Sequence, residues 1–254
     1  MAKYALLFSG GIERKYNYDR YANDLIFAHK VLTEKLQYLP ENIAVLYADG
    51  RALNIIHTVP ATKDNFLLKM DEYSKIINQN DLFALIVSNH GNQNGDLCTY
   101  KNSGTNKLDC IQKDEVTTAL NNIACKKIII LGQCYGGNYV CPDVDIKNSV
   151  ILSANEPNTK SYCKLRLNAA GEFEKDINNV YDEFLYNFFS YYNDEYPCGK
   201  KLKYPKTKNS LFAAHEYAKN NDFLLNGRIH RGKIHKEVPC IKDNMNGASM
   251  ILSL

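Results

Sequence analysis

The chain has 254 residues, 45% of them hydrophobic, and a formal net charge of +3. A chain of this size buries a substantial core without disulfide staples, and so small a net charge gives no general affinity for nucleic acid. No apolar run reaches the roughly 18 residues of a membrane span, and the opening MAKYALLF lacks the basic and long apolar regions of a secretory signal, so one cytoplasmic domain over residues 1–254 is expected.

The first apolar run, Tyr4 to Phe8, ends in Ser9-Gly10-Gly11. Residues 18–39 then carry Leu25, Ala28, Leu32 and Leu36 at helical spacing. Pro40 closes that helix, Ile43 to Tyr47 reads as a second strand, and residues 62–77 return to helical periodicity with Thr62 or Asp64 as cap. Leu82 to Val87, LFALIV, has the continuous apolar pattern of a strand covered on both faces, and it stops at Ser88-Asn89-His90-Gly91. Residues 92–108, rich in Gly, Asn and Lys, read as a hairpin or loop, and 112–124 as a helix. Ile128 to Leu131 is another buried strand ending on Gly132-Gln133-Cys134, and Val150 to Leu152 a fifth, ending at Ser153. Helices are expected over 180–192 and 210–218, with a loop at 193–209 between them. Five apolar strands alternating with helices predict an α/β fold, a doubly wound and mostly parallel sheet flanked by helices, with ligands bound beyond the carboxyl ends of the strands.

The eight cysteines, at 98, 110, 125, 134, 141, 163, 198 and 240, include no CxxC pair, so reduced and mostly buried thiols are expected and no metal or cofactor is implied. His29 and His215 read as helix histidines, His57 as a loop residue, and His230 and His235 as part of a basic run without metal spacing. The basic stretches KKLKYPKTK (200–208) and RIHRGKIHK (228–236) read as solvated loops or edges.

His90 and Cys134 each fall just past the carboxyl end of a buried strand. Right-handed crossover sets such strands side by side, about 4.8 Å apart. An imidazole beside a thiol of pKa about 8.5 takes its proton for attack and returns a proton to the leaving group. Gly91, Gly136 and Gly137 leave room for a substrate backbone, and the Gly91 and Cys134 amides are placed to face an oxyanion, at about 3 kcal/mol per donor in the transition state. Some polar group must orient the imidazole, and Asn89 or Ser88 could do so.

SNHG (88–91) and GQCYGG (132–137) resemble the HG and CxG signatures of legumain and caspase cysteine peptidases. YNYDRYAND (16–24) resembles the legumain stretch YNYRHQAD, and SANEPNTKSY (153–162) resembles TAANPRESSY. The resemblance implies the three-layer sandwich of that family and endopeptidase activity on peptide or protein substrates. It makes Cys134 the nucleophile, His90 the acid/base and Asn17 the polar residue beside the histidine. Legumain pocket positions map onto Asp19, Gly132, Ser161 and Glu172. Asp19 stands where legumains have Arg, and Gly132 where they have Glu. A deepened pocket carrying Asp19 and Glu172 predicts cleavage after Arg or Lys; asparagine is the next expectation, and aspartate follows if Arg20 restores a positive wall. Two rivals make different demands. Gly132-Gln133-Cys134-Tyr135-Gly136 also satisfies the nucleophile elbow of α/β-hydrolases, which would require His215, His230 or His235 at the thiol. A catalytically silent binding module on the same fold would show no selective reactivity at Cys134.

Overall fold

The computed structural model describes residues 1–101, 109–169, 173–203, 206, 208–230 and 233–254. In chain order the main elements are β1 (Lys3–Ser9), α1 (Asp19–Glu34), β2 (Ile43–Tyr47), α2 (Lys63–Ile76) and β3 (Leu82–Val87). Next come β4 (Leu97–Cys98), β5 (Cys110–Ile111), α3 (Lys113–Asn121), β6 (Lys126–Leu131) and β7 (Ser149–Ser153). The remainder holds β8 (Leu165–Leu167), β9 (Phe173–Lys175), α4 (Glu183–Asn193), α5 (Leu211–Asn220), β10 (Arg228–His230), β11 (Lys233–His235) and β12 (Cys240–Asp243).

Local chemistry sets the helix boundaries. Thr62 accepts the Asn65 amide at 3.2 Å and starts α2, while Asp182 accepts the Leu185 amide at 3.0 Å and starts α4 three residues later than periodicity suggests. In α4 every residue is buried, because its aromatic side chains are enclosed between the sheet and α5.

Six strands form the central sheet in the order β12-β7-β6-β3-β1-β2. All neighbours are parallel except β12, which runs antiparallel to β7. One face packs against α1, α4 and α5, and the other against α2 and α3, giving a three-layer sandwich. Strand order reverses between β1 and β3, so the carboxyl ends of β1, β3 and β6 open onto one crevice at the switch point.

The sixth strand and the three small hairpins β4-β5, β8-β9 and β10-β11 extend beyond the five strands that the apolar runs predict. The second basic stretch forms β10-β11, with its cross-strand pair Ile229 and Ile234 exposed. In the first, Lys201 and Lys206 make ion pairs with Glu195 and Asp194. Among the described residues no helix is long and apolar enough to cross a membrane.

Candidate active site

The register of β3 and β6 fixes the geometry. Val87 pairs with Leu131, and the Gly132 amide continues the ladder to the Val87 carbonyl at 2.8 Å. His90 and Cys134 therefore stand at equal offsets, three residues past a paired position. Their turns touch: a Cβ on Gly91 would lie 2.1 Å from the Cys134 carbonyl oxygen.

The turn after Cys134 is latched from both sides by Asn155, whose Nδ2 donates to the Gln133 carbonyl at 2.7 Å and whose Oδ1 accepts the Gly137 amide at 3.1 Å. Tyr135 takes a left-handed φ of 61° and donates its amide to the Thr159 carbonyl at 2.7 Å. A Cβ on Gly137 would meet the Glu156 backbone at 2.2 Å, so only glycine fits there. The Cys134 thiol is half-buried and lies 3.7 Å from the Ser161 carbonyl and 3.8 Å from the Ser161 hydroxyl. Ser161 in turn donates to the Gly132 carbonyl at 3.0 Å. Among the described residues no acceptor meets the amide of Gly91 or of Cys134. A surface groove runs beside the thiol, bounded by Gly91 to Asn94 on one side and by Cys134, Tyr135 and Lys160 on the other.

The imidazole of His90 is held by Nε2, 2.9 Å from the Tyr16 carbonyl, which places the ring proton there and leaves Nδ1 as the acceptor of the neutral ring. Tyr18 and Tyr21 pack edge-on against it at 5.3 Å each. Burial lowers its pKa below the ordinary value; the Tyr16 carbonyl partly opposes that shift, and the charge of Arg20 reinforces it. No hydrogen bond joins the imidazole to the Cys134 thiol among the described residues, so the two groups share a site without a direct bond.

The orienting group is thus a backbone carbonyl, and none of the three side chains named for that role fills it. Asn17 donates to the Tyr47 hydroxyl at 2.8 Å, Asn89 bridges the Gly11 amide and the Cys98 carbonyl, and Ser88 donates to Asp24 at 2.5 Å. Asn17 instead packs its side chain over Gly11, where a Cβ would come within 2.4 Å of its Oδ1. A carbonyl has no signature in the sequence beyond its proximity to the YNY stretch.

The pocket positions need larger corrections. Asp19 is exposed on the first turn of α1, and it is Arg20 whose charge acts on His90 and Asp182. The space above Gly132 is filled by Leu185, which a Cβ would approach to 2.6 Å, so the glycine does not deepen a pocket. Glu172 lies outside the described residues. Of the three described, Ser161 is the one whose side chain meets the thiol.

A set of acids unmarked by any motif lies just beyond Ser161. Asp24, Asp182, Glu183, Asp222 and Glu237 are all buried. The backbone of Tyr162, the residue after Ser161, bonds two of them, its amide donating to Glu237 and its carbonyl accepting the Glu183 amide at 3.1 Å. Lys164 pairs with Glu183 at 3.1 Å. Burial pushes Asp24 and Asp222 up to about 7, the latter also through Glu183, while burial and neighbouring carboxylates raise Asp182 and Glu237 well above the ordinary range. Among the described residues, neither Asp182 Oδ2 nor Arg20 Nε, both buried, has a hydrogen-bond partner. Among the described residues no three His, Cys, Asp or Glu side chains converge as a metal ion requires.

Of the late histidines, the His230 side chain lies outside the described residues. His215 is buried against Glu216 and Phe184, and His235 packs on Tyr162 and Phe173. The cysteines are less buried than expected. Only Cys98 and Cys125 are fully enclosed and Cys198 is exposed, because most of the eight lie on loops or sheet edges.

No family model matches the chain, and no curated protein is similar to it. Among solved structures the chain is similar to protein GSU0716 from Geobacter sulfurreducens, at 13% identity and a TM-score of 0.58, over 95% of this chain and 93% of that one. A likeness at that identity shows the mixed α/β sandwich alone.

Proposed function

We propose that the chain is a cysteine endopeptidase of the legumain and caspase kind. The observation that carries this reading is the equal offset of His90 and Cys134 past the paired ends of β3 and β6, with the imidazole anchored through Nε2. In this mechanism Nδ1 takes the thiol proton and the thiolate adds to the scissile carbonyl. The Gly91 and Cys134 amides receive the oxyanion. Nδ1 then protonates the departing amine, and water hydrolyses the thioester with His90 again as base. The α/β-hydrolase alternative loses His215 as its base, since that side chain is engaged with Glu216 and Phe184.

The residue before the cleaved bond is read as Arg or Lys. Support comes from the five buried acids beyond Ser161. The raised pKa values of Asp182 and Glu237 leave those two protonated and able to ionise against an incoming cation, and the Oδ2 of Asp182 has no partner among the described residues. This basis replaces Asp19 and Gly132. A second reading, cleavage after asparagine, is favoured by Arg20 beside Asp182, which together offer a carboxamide one donor and one acceptor.

The test compares peptides identical except for Arg, Lys, Asn or Asp before a fluorogenic leaving group, with wild type and Cys134→Ala. Release after Arg or Lys, abolished in Cys134→Ala, is the expected result. Release after Asn alone would select the second reading. No Cys134-dependent release from any peptide, together with uniform thiol labelling, would select the binding module.

A further inference from the structure

Cys98 and Cys110 face each other across the β4-β5 pair, with their sulfurs 3.8 Å apart. The Thr99 amide bonds the Asp109 carbonyl at 3.2 Å, whereas the Cys98 amide turns away from β5 to the His90 carbonyl at 3.4 Å. The two cysteines therefore occupy a pair without mutual backbone hydrogen bonds, the antiparallel site at which side chains come closest and where a disulfide spans the strands. A bond of about 2.05 Å requires the sulfurs to close by less than 2 Å from their present 3.8 Å. Cys98 is buried and Cys110 half-buried, so Cys110 is the thiol a small reagent meets first. The hydrogen bond between the two thiols also holds the Cys110 thiol below its ordinary pKa.

We propose that Cys98 and Cys110 form a reversible redox modification site, closed by exchange with a low-molecular-weight disulfide such as oxidised glutathione. The Cys110 thiolate attacks that disulfide, forming a mixed disulfide and expelling one glutathione thiolate. The Cys98 thiolate then attacks the Cys110 sulfur and expels the second. One S–S bond in the reagent is reduced to two thiols, the protein's two thiols are oxidised to one S–S bond, and their two protons leave with the glutathione products.

The bond would act on the backbone that suspends His90. The Cys98 carbonyl accepts Asn89 Nδ2 at 2.6 Å, the Cys98 amide holds the His90 carbonyl, and Gly10 packs so tightly that a Cβ there would lie 2.0 Å from the Cys98 carbonyl. Crosslinking β4 to β5 fixes this strand from its free side, so oxidation clamps the turn carrying His90 and Gly91. The inference rests on the two cysteines and not on peptidase activity.

The experiment uses Cys134→Ala, which removes the other thiol of the site, equilibrated with oxidised and reduced glutathione at graded ratios, then blocked and digested with trypsin. Cleavage after Lys101 and Lys107 leaves Cys98 and Cys110 on separate peptides, joined only by the new bond. The expected result is that linked pair, 2 Da lighter than the sum of its reduced peptides, reversible with dithiothreitol, and a thermal midpoint raised by roughly 5 °C. Adding Cys110→Ser should abolish both changes and leave Cys98 unmodified. Glutathione persisting on Cys110, a link to another cysteine in its place, or seven free thiols at every ratio would overturn the proposal.

Discussion

The carbonyl oxygen of Cys134 occupies the space a Cβ on Gly91 would need, at 2.1 Å from its ideal position. Backbone atoms form that contact, so no side-chain rotation relieves it. In Gly91→Ala one of the two turns must move, and labelling of Cys134 by a thiol-directed peptide probe should slow by about 100-fold, with far-UV circular dichroism retained. An unchanged labelling rate would mean that the two turns need not touch for reactivity.

His90→Ala and Cys134→Ala should each lower peptide hydrolysis by about three orders of magnitude or more, while the melting transition stays cooperative. Alkylation at neutral pH must be read by peptide mapping, because Cys198 is exposed and competes for reagent. In a Cys198→Ser background, Cys134 should react first, and more slowly when His90 is replaced.

The acid limb of kcat/KM should lie below the ordinary histidine pKa, since burial chiefly, and then the Arg20 charge, hold His90 in its neutral form against the opposing Tyr16 carbonyl. Arg20→Gln removes one of the two lowering influences, so the limb should move to higher pH. A limb that stays in place would show that Arg20 does not act on the imidazole.

The buried acids make stability fall with rising pH. Asp24 and Asp222 titrate near 4 when unfolded and at about 7 when folded, so the folded state holds more protons across that interval. Their contribution is fully present below pH 4 and is lost as pH rises through 7. Urea midpoints at pH 5.5 and 8 should show the decline, and Asp222→Asn should reduce it by on the order of 2 kcal/mol. An identical slope in the variant would refute the assignment.

Asp182→Asn keeps a side chain able to cap α4 yet removes an acid that could ionise against a bound cation. It should cut kcat/KM for Arg peptides by about 100-fold, whereas Asp19→Asn, on an exposed turn, should change it less than about threefold. Equal effects would return Asp19 to the pocket.

The five parallel strands were legible because each is a short apolar run, four of them closed at once by Gly or Ser, and His90 and Cys134 because both fall just past such runs. Strand β12, CIKD, escaped notice: an edge strand buried only in part has no continuous apolar signal. The acid cluster was hidden for a different reason. Asp24, Asp182, Asp222 and Glu237 come from four separate segments with no common spacing, and only the fold brings them beneath Tyr162. The Asp before the aromatic run of α4 was the one available cue, as an N-cap.

The latch formed by Asn155 ties the Cys134 turn to the edge of the sheet. Asn155 follows β7, and its carbonyl accepts the Cys240 thiol at 2.9 Å at the start of β12. Fraying of β12 therefore loosens the same residue that holds Gln133 and Gly137. The antiparallel edge and the nucleophile turn should open as one local unit, below the free energy of global unfolding. Heat inactivation should then follow amide exchange in β12 and the Gly137 turn, while the β1-β3 centre of the sheet remains protected.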